Sequence, residues 1–218
     1  MKKILPVIVF LGMVAVAAVL TVTRRNPAPK TVKNAVGSTD TAPANYYFPI
    51  SFYTSRRLLR TFGTYVTSQD VQTVPCGAPF TGYHTGDDLE VTSDEISRPV
   101  SVYSIAAGRV LKVGSVSGYG GLLIIAYNLN NQPVTAYFGH INLATVAVTV
   151  GETVKPGEKL AELGAACSAQ TGGERKHLHF ALHKGPKIDE RGYVSNRMEL
   201  SNWLNPLEAL KNLGAKSP

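Results

Sequence analysis

The sequence predicts a mainly β protein, an antiparallel sandwich or barrel with few short helices. Three observations carry this expectation. From Tyr46 onward, short apolar runs rich in valine, isoleucine and tyrosine are cut by glycine and turn residues. Their spacing, about 8 to 15 residues, suits antiparallel strands better than βαβ units, which need a helix between strands. Helical periodicity is scarce, and "KHLHFALH" at Lys176 to His183 puts His177, His179 and His183 two residues or a multiple of two apart. In a strand those imidazoles share one face, and Leu178, Phe180 and Leu182 share the other.

The chain opens with Lys2 and Lys3, then 19 uncharged residues from Ile4 to Val22, then Arg24 and Arg25. The length meets the minimum for a membrane-spanning helix, and the basic start, apolar middle and Ala15-Val16-Ala17 fit a cleavable export signal. Basic residues on both flanks leave the two readings open. Residues 1–23 are therefore expected to be a signal peptide or a membrane anchor, with membrane contact through residues 4–22 if uncleaved. Residues 24–45, rich in Pro, Ala, Thr, Ser and Asn and free of aromatics, read as a flexible linker with a mean span of about 25 Å. A domain over 46–208 and a C-terminal tail over 209–218 complete the expected organisation.

Within the domain, Ser55 to Thr61 is expected to make one or two helical turns. "PVSVYSIAAGRVLKVG", "GLLIIAYNLNNQPVTAYFGH" and "ATVAVTVGETVKPGEKLAELG" read as strands joined by turns. "GYGG" at Gly118 to Gly121 lies between two such runs with no helix after it, so it reads as a hairpin and not a phosphate cradle. Glu199 to Leu213 is expected to be a weak helix interrupted by Pro206.

The charge distribution gives little support to a nucleic-acid partner, and none is expected. Of the net +7, six arise in the first 33 residues, which hold six of the 22 basic residues and no acid; the remaining 16 face 15 acidic ones. No basic stripe interleaved with aromatics remains. The two cysteines, Cys76 and Cys167, favour a disulfide in an exported protein, where closing a loop of about 90 residues stabilises by about 4 kcal/mol. Two free thiols are the alternative. No feature specifies an oligomeric state.

Four of the five histidines sit in contexts suited to a metal. His84 and Asp88 are four apart in "GYHTGDDLEV", His140 ends an apolar run in "YFGHIN", and His177 and His179 form "HLH". Two imidazoles and one carboxylate, with a fourth position for water, are an ordinary catalytic zinc environment, and two more imidazoles could serve as proton acceptor and oxyanion stabiliser.

These motifs resemble those of the lysostaphin-type (LytM-like) zinc endopeptidases of bacterial peptidoglycan: HxxxD at His84 to Asp88, an isolated histidine at His140, and HxH at His177 to His179. "RTFG" at Arg60 to Gly63, "GYG" at Gly118 to Gly120, "VTVGETVKPGE" at Val148 to Glu158 and "WLNP" at Trp203 to Pro206 agree with it. The resemblance implies the barrel-sandwich hybrid (duplicated hybrid motif) fold, one Zn2+ per domain held by His84, Asp88 and His179, and His140 and His177 as catalytic residues beside the metal-bound water. It also implies a peptidoglycan peptide as substrate and an exported, cell-envelope location.

Two departures stand out. Asp87 occupies a position commonly apolar in relatives; spacing selects Asp88 as ligand and leaves Asp87 as a solvated turn residue. Phe138-Gly139-His140 replaces the frequent Tyr-Gly-His. His183 has no motif role and is expected at an exposed strand end, and Glu174, Arg175 and Lys176 in the loop before the HxH strand. The competing readings are a non-catalytic wall-binding scaffold on the same fold, and a lipoyl-like carrier suggested by "VGETVKPGEKL". Neither HExxH nor a properly placed GxSxG occurs.

Overall fold

Strand β11 (His177–Lys184) is paired along both edges and carries the paired histidines. The computed structural model describes residues 45–70, 76–77 and 79–218. The expected signal or anchor, and the linker up to residue 44, lie outside them. Among the described residues no helix is long and apolar enough to cross a membrane.

The other strands, in order, are β1 (Tyr65–Val66), β2 (Gly82–His84), β3 (Gly86–Glu90), β4 (Ser101–Tyr103), β5 (Gly108–Val116), β6 (Gly120–Leu129), β7 (Gln132–Gly139), β8 (Ile141–Asn142), β9 (Thr153–Val154), β10 (Lys159–Leu163), β12 (Tyr193–Val194) and β13 (Trp203–Leu204). The main sheet runs β13-β11-β7-β6-β5-β9, with β3 also paired to β11. Its pairings are all antiparallel. Two three-stranded sheets, β1-β2-β12 and β4-β10-β8, flank it. The mainly β expectation therefore holds, and the glycine-rich stretch after Val116 is the hairpin joining β5 to β6.

Alternation sorts the side chains of the main sheet. Leu123, Ile125, Ala136, Phe138, Leu178, Phe180 and Leu182 enter one large core with Leu89, while Leu122, Ile124, Tyr137 and Ala181 pack with Tyr119 and Trp203 on the other face. Burying each large apolar side chain contributes about 1.5 to 3 kcal/mol, so the register of β11 is fixed from both sides; a one-residue slip would exchange its imidazole and apolar faces.

Several expectations need correction. Asp87 is 2 % exposed, not solvated: it points into the sheet's core face, accepts from Tyr53 Oη at 2.7 Å and from the Phe62 backbone N–H at 3.0 Å. Those two donors explain how a carboxylate tolerates that position. Burial pushes its pKa up. His183 is buried against the Trp203 ring, with centroids 4.9 Å apart, because β13 covers the end of β11 that the sequence left open. Pro206 starts a helix and interrupts none. Helix α1 (Arg197–Leu200) is a single turn, and α2 (Pro206–Asn212) begins with Pro206 in its first turn, where a missing N–H costs nothing, capped by Asn205. Residues 209–218 do not hang free: Leu210 is fully buried and Phe48 N–H donates to Lys216 O at 2.8 Å. Before β1 the helical turn is one turn of 3-10 helix over Tyr53–Ser55, and 56–61 follows without helix.

Candidate metal centre

Strand register assembles the site. In the β3–β11 ladder His179 lies opposite Asp88, and in the β7–β11 ladder it lies opposite Gly139, the residue before His140. Tyr193 on β12 lies opposite His84 on β2. Cross-strand partners have Cβ atoms about 4.5 to 5.5 Å apart on the same face, so His84, Asp88, His140, His177 and His179 converge although 95 residues separate the first from the last. All five are buried.

Three ligand-type atoms meet at one point. His84 Nε2 and His179 Nδ1 are 3.0 Å apart, and each is 3.1 Å from Asp88 Oδ1. His177 Nε2 lies 3.5 Å from the same oxygen. A proton on one ring nitrogen satisfies one of these approaches and leaves lone pairs facing each other elsewhere; a cation satisfies all of them. Metal–ligand bonds of about 2.0 to 2.2 Å in a tetrahedral site put ligand atoms about 3.3 to 3.6 Å apart, so a few tenths of an ångström of expansion fits these three residues to a metal ion. Two imidazoles and a carboxylate form a donor set of borderline hardness, suited to zinc.

The electrostatics agree with a carboxylate at Asp88 and a neutral ring at His179. Burial alone would raise the Asp88 carboxyl, but the cluster of His84, His177 and His179 around it outweighs burial and holds its pKa well below the usual range. Burial lowers His179 to about 4, which keeps the ring neutral and able to ligate.

Asp88 is also gripped from behind. Arg175 Nη2 donates to Asp88 Oδ2 at 2.8 Å, its Nε donates to both oxygens of Glu90 at 2.9 and 3.0 Å, and Nη1 reaches Glu174 Oε2 at 3.3 Å. Arg175 thus commits one carboxylate oxygen and leaves Oδ1 to the histidines. The next residue, Lys176, donates to the carbonyls of Glu95, Ile96 and Arg98 and ties the 92–98 loop to the root of β11. Sequence reasoning placed both only in a loop; the one available signal was their position immediately before the paired histidines.

His140 stands at the end of β7 with φ of 62°, a left-handed conformation uncommon for a residue with a side chain. Its backbone N–H donates to Tyr119 O at 3.2 Å, and its ring lies tilted against that of His177 with centroids 4.2 Å apart. Gly139 is required here: a Cβ would lie 2.5 Å from the Tyr119 ring. The expected disulfide is formed. Cys76 and Cys167, with Cα atoms 5.4 Å apart, join the loop before β2 to the loop between β10 and β11. Asp88, His140, His177 and His179 line a cleft of about 340 Å³ whose wall includes Arg60, Tyr119, Arg191 and Tyr193, while His84 is fully buried.

The sequence profile of Peptidase family M23 matches residues 82–191. The chain belongs to peptidase family M23. Peptidases of this family are metallopeptidases, and the M23 match contains all five converging residues. Over 104 residues the chain is 33% identical to the "Uncharacterized lipoprotein YgeR" of Escherichia coli (strain K12), an alignment covering 46% of this chain and 38% of that protein. It is similar in structure to the antimicrobial peptidase lysostaphin from Staphylococcus simulans, at 19% identity and a TM-score of 0.52 over 79% of this chain and 55% of that one. A chain of the SpoIIQ-SpoIIIAH pore forming complex matches at 15% identity and a TM-score of 0.51, covering 78% of this chain and 92% of that one. At these identities the likeness is one of fold. The chain spans little more than a third of YgeR and about half of lysostaphin.

Proposed function

We propose that this M23 protein is an exported, zinc-dependent endopeptidase that hydrolyses peptide cross-links of bacterial peptidoglycan. The carrying observation is the convergence of His84 Nε2, Asp88 Oδ1 and His179 Nδ1 within 3.1 Å of one another on a cleft that two further imidazoles line. These three atoms would hold one zinc ion, which when bound supplies Lewis acidity, lowering the pKa of water from about 15.7 to about 7 and polarising a carbonyl.

His140 and His177 handle the proton. Nδ1 of His140 lies 2.9 Å from Thr171 O, and Nδ1 of His177 lies 2.9 Å from Arg175 O. A carbonyl only accepts, so each neutral ring carries its hydrogen on Nδ1 and leaves Nε2 bare. Each is thereby set to take a proton from the attacking water as the new C–O bond forms, and to give it to the amine nitrogen as the C–N bond breaks. Burial, with the nearby His177, holds His140 well below the ordinary histidine pKa, which keeps it an acceptor at neutral pH. Arg175 holds the Asp88 carboxylate in one orientation throughout.

The uncharged run from Ile4 to Val22 and the similarity to a protein described as a lipoprotein support an envelope or exported location, membrane-bound through residues 4–22 if that segment is retained. The test is digestion of purified peptidoglycan by the full chain with mass spectrometry of the released muropeptides. The reading expects products that have gained one water at a cross-link, with a new amine and a new carboxylate. Intact cross-links with stoichiometric zinc bound would favour a wall-binding scaffold.

A further inference from the structure

A cation shut into a protein calls for an anion, because burial strips away the water that would otherwise solvate it. Most charged side chains on the cleft wall meet that rule within the chain. Asp88 and Glu174 accept from Arg175, Glu190 pairs with Lys112, and Arg191 pairs with Asp189 and Glu199. Arg60 is the exception. It is 6 % exposed and lines the same cleft, yet among the described residues its guanidinium makes one hydrogen bond, from Nη1 to the Tyr193 hydroxyl at 3.1 Å. Burial raises the pKa of the Tyr193 phenol, so that partner brings no negative charge.

The carboxylates around Arg60 do not fill the gap. Asp88 Oδ2 lies 3.9 Å from Arg60 Nη1, too far for a hydrogen bond, and the same oxygen already accepts from Arg175 at 2.8 Å. Asp70 is on the surface, where hydrogen bonds from the Thr67 hydroxyl and N–H lower its pKa and the Arg60 charge adds the smallest share. Nε and Nη2 of Arg60 are outside the set of enclosed side-chain atoms that lack a partner, so both keep contact with solvent. Backbone register fixes where this fork stands. Arg60 O accepts from Asp88 N–H at 2.8 Å, Leu59 N–H donates to Asp88 O at 3.3 Å, and Leu58 lies opposite Leu89. Residues 58–60 therefore run along β3 beside the proposed ligand, and Tyr193, stacked on Phe80 with centroids 5.0 Å apart, holds one arm of the guanidinium.

We propose that Arg60 is a specificity-determining residue that binds a free carboxylate on the substrate residue flanking the scissile amide. The preferred cross-link is then acidic at that point, and an all-glycine or amidated bridge is a poor substrate. This rests on the endopeptidase reading. A carboxylate set against Nε and Nη2 receives two parallel N–H···O bonds, the geometry that suits a guanidinium fork, and it supplies the charge that the chain itself does not bring to Arg60. Nη1 stands 3.9 Å from an oxygen of a proposed metal ligand, a span close to one extended residue. The carboxylate it binds therefore belongs to a residue next to the cleaved bond.

The test uses the full chain and two synthetic cross-linked peptides, identical except that the residue flanking the scissile amide carries a free carboxylate in one and a carboxamide in the other. Affinity is measured by calorimetry on the zinc-depleted chain, where no metal can hold the carboxylate, and kcat/KM on the zinc-loaded chain. The wild type is expected to favour the carboxylate peptide by about 10- to 100-fold in both readouts. Arg60→Gln is expected to bring that ratio to within about threefold of one, and Arg60→Lys, a point charge without the fork, to keep part of it. Melting temperature reports whether each variant is folded, and Arg60→Met, which keeps an unbranched stem, replaces Arg60→Gln if that variant is not. A wild type without the preference, or a folded neutral variant that retains it, overturns the proposal. Failure to cleave either peptide counts against the endopeptidase reading, while the affinity ratio still decides the carboxylate site.

Discussion

Arg175 holds Asp88 by a 2.8 Å hydrogen bond to the carboxylate oxygen that faces away from the three histidines. The two residues are 87 apart in sequence, and both side chains are shielded, 10% and 2% exposed. A charge-assisted bond in that setting orients the carboxylate more firmly than a surface pair would. Arg175→Ala is expected to weaken zinc binding by 10- to 100-fold, the usual cost of losing a group that orients a metal ligand. Arg175→Lys is expected to recover part of it, because a point charge replaces the forked donor. Competition with a chromophoric chelator measures both.

The two proton-handling histidines and the three proposed ligands should separate cleanly. His140→Ala and His177→Ala are expected to keep stoichiometric zinc while losing 10²- to 10⁴-fold in kcat. His84→Ala, Asp88→Ala and His179→Ala are expected to lose the metal along with activity. Elemental analysis of the purified variants beside their turnover rates distinguishes the groups.

The contrast between the proposed ligands and Arg175 shows how far the sequence could be read. Asp88, His177 and His179 were legible because strand alternation and fixed spacing decide which side chains share a face. The disulfide was legible because an exported chain with two cysteines has one pairing. Arg175 was not, since it reaches Asp88 across the fold from a loop whose partner no local pattern specifies. Asp87 was misread because its burial depends on Tyr53 and the Phe62 N–H, supplied by a segment some 25 to 34 residues earlier. His183 was misread because Trp203, which covers it, comes from a two-residue strand after the helical turn.

The Cys76–Cys167 bridge closes a loop of 91 residues and is expected to contribute about 4 kcal/mol by restricting the unfolded chain. Alkylation under denaturing conditions should label no thiol before reduction and two after it. The reduced protein should melt well below the oxidised one.

Acid stability should depend in part on the Arg56–Glu95 ion pair. Arg56 donates to both oxygens of Glu95 at 2.7 and 2.8 Å, and this bond, with smaller contributions from Thr92, lowers the Glu95 pKa from 4.5 to about 2 against the opposing effect of burial. A folded-state pKa below the unfolded one means stability present above pH 4.5 and lost as pH falls toward 2. Glu95→Gln should flatten that part of the pH–stability curve, as read by chemical denaturation at pH 6, 4 and 3.

The central claim is that His84, Asp88 and His179 hold a zinc ion that the hydrolysis of peptidoglycan cross-links requires. The most direct measurement is release of soluble muropeptides from purified peptidoglycan by four samples: the full chain as purified, after chelation, after chelation and zinc return, and as His179→Ala. Activity should disappear on chelation, return with zinc, and be absent in His179→Ala at every zinc concentration. Cleavage that persists both in chelator and in His179→Ala would contradict the account.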